Sequence, residues 1–277
     1  KDISVIASQW DKWSSVVQAD ATTSTNDSGS QAGGETAAIG AGINLVVLLD
    51  NIKAEIADGA HVDAGRNLTV DASLEYPFLI KTFVTDLMNA SAGSIFGTIF
   101  AGSKLPDWGI CTDLFNSFVR SLAQGGADTK ASVAGSIDFV YLGGNTTARI
   151  GDNVQVNQDV NYRQTTQNVT VSASTEASFV NVVGNFRFAL QPGLADNKKI
   201  ESVKKYFKGF PSTVFTTFGS GGGKNGAGGS VYLPIMIFNT TAEVGNNTNI
   251  NLGTSGKLDV NASTSVINFS LVQAGSQ

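Results

Sequence analysis

The phrase NTTARIGD at residues 145–152 returns 94 residues later as NTTAEVGN at residues 239–246, and it is preceded at the same distance by NIKAEIAD at residues 51–58. A phrase that recurs at a fixed interval is typical of repeat architectures, in which one structural unit cannot bury its apolar face alone and stacks on its neighbours. The three copies therefore decide the fold, and the first question is what one copy forms.

Small or branched apolar residues alternate with charged residues inside each copy. Ala54 and Ile56 flank Glu55, and the equivalent residues of the other copies flank Arg149 and Glu243. Side chains two apart in a strand share one face, so we predict a strand with apolar residues inward and charged residues outward. The later stretches LTVDAS, VTVSAS and LDVNAS alternate in the same way. The predicted core ladder consists of Ala54, Ile56, Val70, Ala148, Ile150, Val171, Ala242, Val244 and Val260.

Tight corners are predicted directly after the alternating phrase, at pairs of residues that tolerate a left-handed backbone. The predicted corner residues are Asp58, Gly59, Asp152, Asn153, Asn246 and Asn247. Upstream of the phrase, Ile43, Leu45 and Val47 lie two apart, which predicts a separate first strand with one large apolar face. Pro234 in the third copy lacks a backbone donor and implies a bulge or a sheet edge.

Three short strands joined by such corners cover about 20 to 25 residues, which is the length of one coil of a β-solenoid. The predicted fold is therefore all-β, with a period of about 94 residues and one continuous solenoid segment over residues 1–277. The repeat words lie near residues 37–73, 131–174 and 226–263.

Two segments follow a helical rather than a strand period. In residues 78–90 the apolar residues fall on one helical face, and Leu114, Phe115, Phe118, Val119 and Leu122 repeat that spacing. Residues 196–211 begin at a capping-type Asp or Asn and end at Gly209 and Pro211. We therefore predict helical excursions near residues 76–123 and 196–211, inserted into the solenoid and lying on its flank.

The chain has few side chains of the types that usually catalyse reactions or bind metals. The net charge of −5 and the pI near 4.9 provide no basic surface for nucleic acid, and the chain has one cysteine, Cys111, and one histidine, His61. A catalytic triad or a Cys/His metal site needs partners that these residues lack. Outward carboxylates such as Glu55 and Glu243 form no continuous acidic stripe, because Arg149 interrupts them. We therefore predict no catalytic, cofactor-binding or metal-binding residues.

The stretch AAIGAGINLVVLLDNIKAEIADGAHVDAGRNLTVDAS at residues 37–73 resembles the repeat word AxxVxVNxVxNxTxAxIGDGAxVxAGGxLxVxAS of large secreted bacterial adhesins of the filamentous-haemagglutinin and leukotoxin type. The other two copies are similar but looser, and the resemblance covers somewhat under half of the chain. It implies a secreted, surface-attached, right-handed parallel β-helix without catalytic residues. The chain departs from the family word by inserting apolar segments with a helical period.

The expected function is that of a structural segment of a giant extracellular adhesin or cell-surface filament, which mediates adhesion, cell contact or matrix assembly. The expected partners are other copies or neighbouring segments of the same large chain and a cell-surface or matrix component, without nucleic acid or membrane insertion. The alternative is a polysaccharide-acting β-helix enzyme, a lyase or hydrolase, which needs two carboxyl groups at a suitable separation. An ice-binding solenoid is disfavoured because outward Thr residues form no regular array.

Overall fold

The described part of the chain is built almost entirely of β-strands. The computed structural model describes residues 1–22, 36–79, 115–124, 129–184, 186–187, 216–217 and 226–274. The strands in those residues are β1 (Ile3–Trp10), β2 (Ser15–Thr22), β3 (Thr36–Ile56), β4 (His61–Val62), β5 (Asn67–Tyr76), β6 (Ser117–Gln124), β7 (Thr129–Ile150), β8 (Gln155–Val156), β9 (Asn168–Gly184), β10 (Phe186–Arg187), β11 (Thr216–Thr217), β12 (Gly226–Val244), β13 (Asn249–Ile250) and β14 (Leu258–Gln273).

Three sheets of parallel strands hold all of these elements except β10 and β11, which pair antiparallel. Strand β7 lies between β3 and β12, and β8 lies between β4 and β13. In the third sheet the first part of β9 pairs β5, its last part pairs β6, and β14 pairs along nearly its whole length. Strands β1 and β2 extend this sheet beside β5 and β6. The all-β class predicted from the sequence is confirmed.

Equivalent residues of the three copies are direct neighbours across the sheets. Ala54 pairs Ala148, which pairs Ala242, and this offset of 94 residues holds from Ala38 to Ile56 without a bulge. Pro234 lies in β12, an edge strand of its sheet within the described residues, and the register continues through it. One pass through the three sheets takes a whole copy, from Thr36 to Tyr76 in the first, so the predicted pass of about 20 to 25 residues is too short.

The first and second predicted strands are one strand, and the large apolar face of its first part points outward. Residues 43–47 and 54–56 belong to the single strand β3, and a strand without a bulge cannot move its inward set to the other face. Since Ala54 and Ile56 are buried, Asn44 also points inward and the large apolar residues two apart from 39 to 49 point outward. The outward apolar residues, between 46% and 70% exposed, are Ile39, Ile43, Leu45, Val47, Leu49, Val133, Ile137, Val231, Leu233 and Ile237.

The buried core lies between the inward faces of the sheets. Strand β5 contributes alternate residues from Leu68 to Tyr76, all of them buried. The ring of Tyr76 lies 5.5 Å from that of Phe179 and 5.9 Å from that of Phe238, measured between centroids, so aromatic side chains follow one another from copy to copy. This column joins β5, β9 and β12 through side chains as well as backbone pairing.

The helix predicted at residues 114–122 is wrong, because Ser117–Gln124 form strand β6. Phe118 and Val119 are adjacent in sequence and both buried, and a strand covered on both faces carries consecutive apolar residues. Tyr76, at the start of the predicted excursion, is the last residue of β5. Residues 80–114 of that excursion, and the second predicted excursion at 196–211, lie outside the described residues.

The corner after β3 and the equivalent corners form a hydrogen-bonded stack. The Asp58 carboxylate accepts the backbone N–H of Asp152 at 2.8 Å, and the Asp152 carboxylate accepts that of Asn246 at 2.7 Å. A Cβ added to Gly151 would collide with the Asp58 carboxylate and come within 2.7 Å of its backbone nitrogen. The aspartate of one copy therefore requires glycine in the next.

Substitution Gly151→Ala is expected to lower the free energy of unfolding by about 1–3 kcal/mol, because the new methyl group meets backbone and cannot be accommodated by a side-chain rotation. The measurement is urea denaturation followed by circular dichroism. Gly229→Ala is the matched control, since a Cβ at Gly229 has no atom within 4 Å. Equal effects of the two substitutions would contradict the stacked corner.

Candidate functional site

The residues predicted for the core ladder lie on the inward faces, and their burial depends on the copy. Ala54, Ile56, Val70, Ala148, Ile150 and Val171 are buried, and Ala242 and Val244 are partly buried against the same core. Val260 is 43% exposed, whereas its neighbour Val171 is 0% exposed. Strand β14 has a pairing partner on one side only within the described residues, which accounts for the difference.

The predicted corner residues form three equivalent turns. The backbone is left-handed at Gly59 (φ 71°), Asn153 (φ 57°) and Asn247 (φ 56°), the second residue of each predicted pair. Asn tolerates this conformation better than other residues with a Cβ. Asp58 and Asp152, the first residues of their pairs, act through their carboxylates on the backbone of the next copy, as described above.

A charge ladder runs along the outward positions of the phrase. The Arg149 guanidinium lies 2.8 Å from the Glu55 carboxylate of the preceding copy and 2.9 Å from the Glu243 carboxylate of the following copy. Asp58 and Asp152 lie at 3.2 Å and 3.6 Å from the same group. Hydrogen bonds from Lys53 and Arg149 lower the pKa of Glu55, and the hydrogen bond with Glu55 raises the pKa of Arg149. The arginine thus separates carboxylates that in-register stacking would otherwise place side by side.

Replacing Arg149 with Met keeps most of the aliphatic stem and is expected to lower the melting temperature, because four carboxylates lose their shared cation. The loss is expected to shrink when salt is raised to about 1 M, where the Debye length is about 3 Å. Lys53→Met is the matched control, since the ion pair of Lys53 within the described residues is with one carboxylate, that of Glu55, at 2.6 Å. The ladder is refuted if both variants lose the same stability at low salt, or if the loss at Arg149 does not respond to salt.

A chain of polar side chains runs from the buried interior to the partly buried Tyr232 and the exposed Asn268, and it was not predicted from the sequence. Its members come from both facing sheets: Ser15, Asn44, Ser117, Asp138, Asn181, Tyr232 and Asn268. Asp138 stands at its centre and is fully buried. The Asn44 amide donates to Asp138 Oδ1 at 2.8 Å, and Ser117 Oγ makes a very short contact with Asp138 Oδ2.

The hydrogen-bond pattern along this polar chain favours a protonated Asp138. Ser117 has one hydroxyl proton, yet its Oγ lies within hydrogen-bonding distance of Asp138 Oδ2 and, at 2.9 Å, of Asn181 Oδ1. Both contacts are satisfied when Asp138 is protonated and donates to Ser117, which then donates to Asn181. The Asn181 amide continues the chain to Tyr232 Oη at 2.6 Å and to Asn268 at 2.9 Å.

Electrostatics agrees with the protonated form. Burial raises the pKa of Asp138, although the contacts with Ser117 and Asn44 oppose that rise. Burial also raises the pKa of Tyr232 to about 12, which keeps its hydroxyl neutral. A neutral chain that satisfies its donors and acceptors fixes the relative position of the two sheets, because the hydrogen bonds among Asp138, Ser117 and Asn181 form only when the facing sheets are in this register. Its burial gives Asp138 no access to a substrate in solution.

The contribution of Asp138 to the free energy of unfolding is expected to fall as the pH rises above about 4. The raised pKa of Asp138 means that the unfolded chain loses this proton at lower pH than the folded chain, so deprotonation favours unfolding. Asp138→Asn carries an amide donor where the acid carries its proton, and we expect it to remove this part of the pH dependence. Asp259→Asn, on exposed β14, is the control. Parallel pH profiles for the native chain and Asp138→Asn would refute the protonated state.

Two carboxyl groups meet at the edge of the described stack, where β1 and β3 approach each other. The Gln9 amide lies 2.7 Å from an oxygen of Asp11 and 2.7 Å from an oxygen of Asp50. Tyr76 donates its hydroxyl to the other oxygen of Asp50 in a very short contact. Burial and the neighbouring Asp50 carboxylate raise the pKa of Asp11, so the pair can share a proton. No spacing along the chain reveals this pair, since its members lie far apart in the sequence.

The remaining reactive side chains of the described residues form no larger group. The ring of His61, on the surface in β4, lies 2.9 Å from the Asp63 carboxylate. Within the described ranges, no group of three or more His, Cys, Asp or Glu side chains converges on a position that could hold a metal ion. In the same part of the chain, no helix has the length and apolar character needed to cross a membrane.

No family model, curated protein or solved structure matches this chain. The functional conclusion therefore depends on the geometry described above and on the repeat word.

Proposed function

We propose that the chain is a segment of a right-handed parallel β-helix in a giant extracellular adhesin or cell-surface filament. Its role is structural: it carries adhesion, cell contact or matrix assembly without catalysis. Its partners are further copies or neighbouring segments of the same large chain and a component of a cell surface or matrix. The right-handed sense follows from the strong preference of parallel crossover connections for that hand.

The observation that supports this proposal most is the in-register pairing of equivalent residues. Three copies pair strand by strand in three sheets, and the chain visits the sheets in the same order each time. An arrangement of this kind is extended by adding copies, since each new strand finds a pairing edge of the same shape. Strand β14 exposes apolar side chains such as Val260 and Phe269, which another copy would cover.

The placement of the polar side chains also favours a structural role. Asp138 is buried in a polar chain, and Arg149 is occupied by four carboxylates. The outward Asn residues pair with their own copies, as Asn239 does with Asn145 at 3.0 Å. These groups hold neighbouring copies together, which is what a filament requires of them.

The alternative function is a polysaccharide-acting lyase or hydrolase, and the pair Asp11 and Asp50 is the observation that favours it. Glycoside hydrolysis with retention uses two carboxyl groups about 5 to 5.5 Å apart, one of which is protonated. Asp11, with its raised pKa, and Asp50 share the Gln9 amide and so meet the requirement of proximity. The Asp50 oxygen that does not contact Gln9 is occupied by Tyr76, which favours the structural role.

The structural proposal is tested with chains that carry about ten extra copies of residues 131–224. Each copy is expected to lengthen the particle by about 4.8 Å, or about 48 Å in all, at constant cross-section, because one strand is added to each sheet. Small-angle X-ray scattering and electron microscopy measure both dimensions. Particles that grow in all directions, or as separate globules, would overturn the proposal.

The adhesive role and the enzymatic alternative are separated on the native chain. Beads coated with the chain are expected to attach to cells or matrix, and incubation with acidic and neutral polysaccharides is expected to yield no shorter products. Asp11→Asn and Asp50→Asn are the diagnostic variants, with Asp259→Asn as the control. Cleavage that disappears in either diagnostic variant and persists in the control would establish the enzyme instead.

A further inference from the structure

The outer surface of the β3–β7–β12 sheet carries a continuous apolar face. It comprises the outward residues that precede Asn51, Asn145 and Asn239 on the three strands, and none of them is charged. Its largest exposed members are Ile43, Leu45, Leu49, Ile137, Leu233 and Ile237. Their positions in register, such as Ile43 beside Ile137 and Ile137 beside Val231, make one surface of them.

The size of the apolar face exceeds what soluble monomers usually expose. Ten of its side chains are between 46% and 70% exposed, which corresponds to an area on the order of 1,000 Å², whereas the largest apolar patch of a typical monomer is about 300–600 Å². Surfaces of this size mark a site of interaction. Two such faces packed together would remove about 2,000 Å² from water, the area of a stable protein interface.

We propose that the apolar face is a lateral contact between two copies of this chain, packed sheet against sheet. Flat arrays of aliphatic side chains two residues apart interdigitate well across about 10 Å, the usual separation of facing sheets. A contact that uses the same face twice is satisfied by a two-fold axis and needs no second surface. This inference deepens the proposed structural role, on which its biological meaning rests, because it names how two segments associate side by side.

The border of the apolar face supports a protein partner. The row Asn51, Asn145 and Asn239 follows it directly, and the charge ladder Glu55–Arg149–Glu243 lies beyond that row on the same strands. An apolar centre with a polar rim is the usual anatomy of a protein interface. The acidic residues of the rim and the net charge of −5 oppose contact with an anionic lipid surface.

Strands β5 and β6, which flank residues 80–114 in the sequence, belong to the sheet that packs against the inward side of β7. The contact between Ser121 and Ser136, at 2.7 Å, shows these inward faces touching. The apolar face looks the other way, which favours a second copy over this segment as its occupant.

The test compares the native chain with a Leu45→Glu, Leu233→Glu variant by sedimentation equilibrium. The dissociation constant of the native dimer is expected to be at least about 100-fold lower than that of the variant dimer. Each variant chain would bury two carboxylates in the contact, and these oppose it. Thr241→Glu, outward on β12 beyond the Asn row, is the matched control and is expected to dimerise like the native chain. Circular dichroism establishes that each variant is folded.

A second measurement does not depend on the folding of the charged variant. A photo-crosslinking residue in place of Leu45 is expected to yield covalent dimers joined at the apolar face, and one in place of Thr241 is expected to yield few. A native chain that stays monomeric at all concentrations overturns the proposal. So does one that binds zwitterionic vesicles in place of itself, or one whose crosslinks at position 45 all lead to residues 80–114 of the same chain.

Different experimental results would refute the lateral contact and the structural role. If the chain is monomeric and the extended chains still lengthen by one strand spacing for each added copy, the lateral contact is refuted and the structural proposal stands. If dimers form but added copies do not lengthen the particle, the structural proposal is refuted and the contact remains as an interface between globular units.

Discussion

Parallel pairing of each residue with its counterpart in the next copy, 94 residues away in the β3–β7–β12 sheet, is the constraint on which the rest of the structure depends. Such pairing places equivalent side chains of successive copies next to each other. A residue type is therefore stable at an outward position only if its side chain can lie beside an identical side chain without repulsion. Asn satisfies this condition because its amide has both a donor and an acceptor. The Asn239 amide, for example, donates to Asn145 Oδ1. Glutamate does not, because like charges on adjacent strands repel. The change from Glu55 to Arg149 and back to Glu243 resolves that conflict within the same register.

The interior obeys the same constraint with a different solution. The inward position shared by Asn44, Asp138 and Tyr232 is polar in all three copies, although the residue differs each time. A repeated carboxylate here would place unpaired charges in the core, where they are costly. Three different polar groups instead connect through Ser117 and Asn181 of the facing sheet. A slip of one residue in either sheet would break every one of these contacts, so the polar chain selects the register more strictly than an apolar core does.

The sequence predicts the repeat, the corners and the alternation near Ala54 because these features depend on neighbours in the chain. It does not predict the face of Ile43, because that face depends on whether the strand continues through residues 48–53, and an apolar run does not distinguish one long strand from two short ones. The same ambiguity misassigned β6, where Phe118 and Val119 are buried on opposite faces and imitate a helical period. The orientation of a strand is a property of its whole length.

The candidate site was less predictable than the fold, and the reason is physical. The partners of Asp138 lie on the facing sheet, so no spacing along the chain reveals them, and the pair Asp11 and Asp50 meets only because β1 lies beside β5. The alternation of faces along β3 offers one signal, because residues an even number of positions apart share a face. Once Ala54 is taken as inward, Asn44 and Asp50 share its face, and polar residues on an inward face require partners.

The two kinds of unsatisfied surface in this molecule point in different directions. Strand edges, as at β12 and β14, offer backbone donors and acceptors and select another strand along the stack. The apolar face offers no backbone groups, since those of β7 are used by β3 and β12, and it selects side chains across the stack. The first surface is specific because hydrogen bonds demand register, whereas the second depends on area and shape. A chain with both surfaces can be extended along one axis by pairing and widened along another by packing, and the Asn row at 51, 145 and 239 marks the boundary at which the packing surface ends.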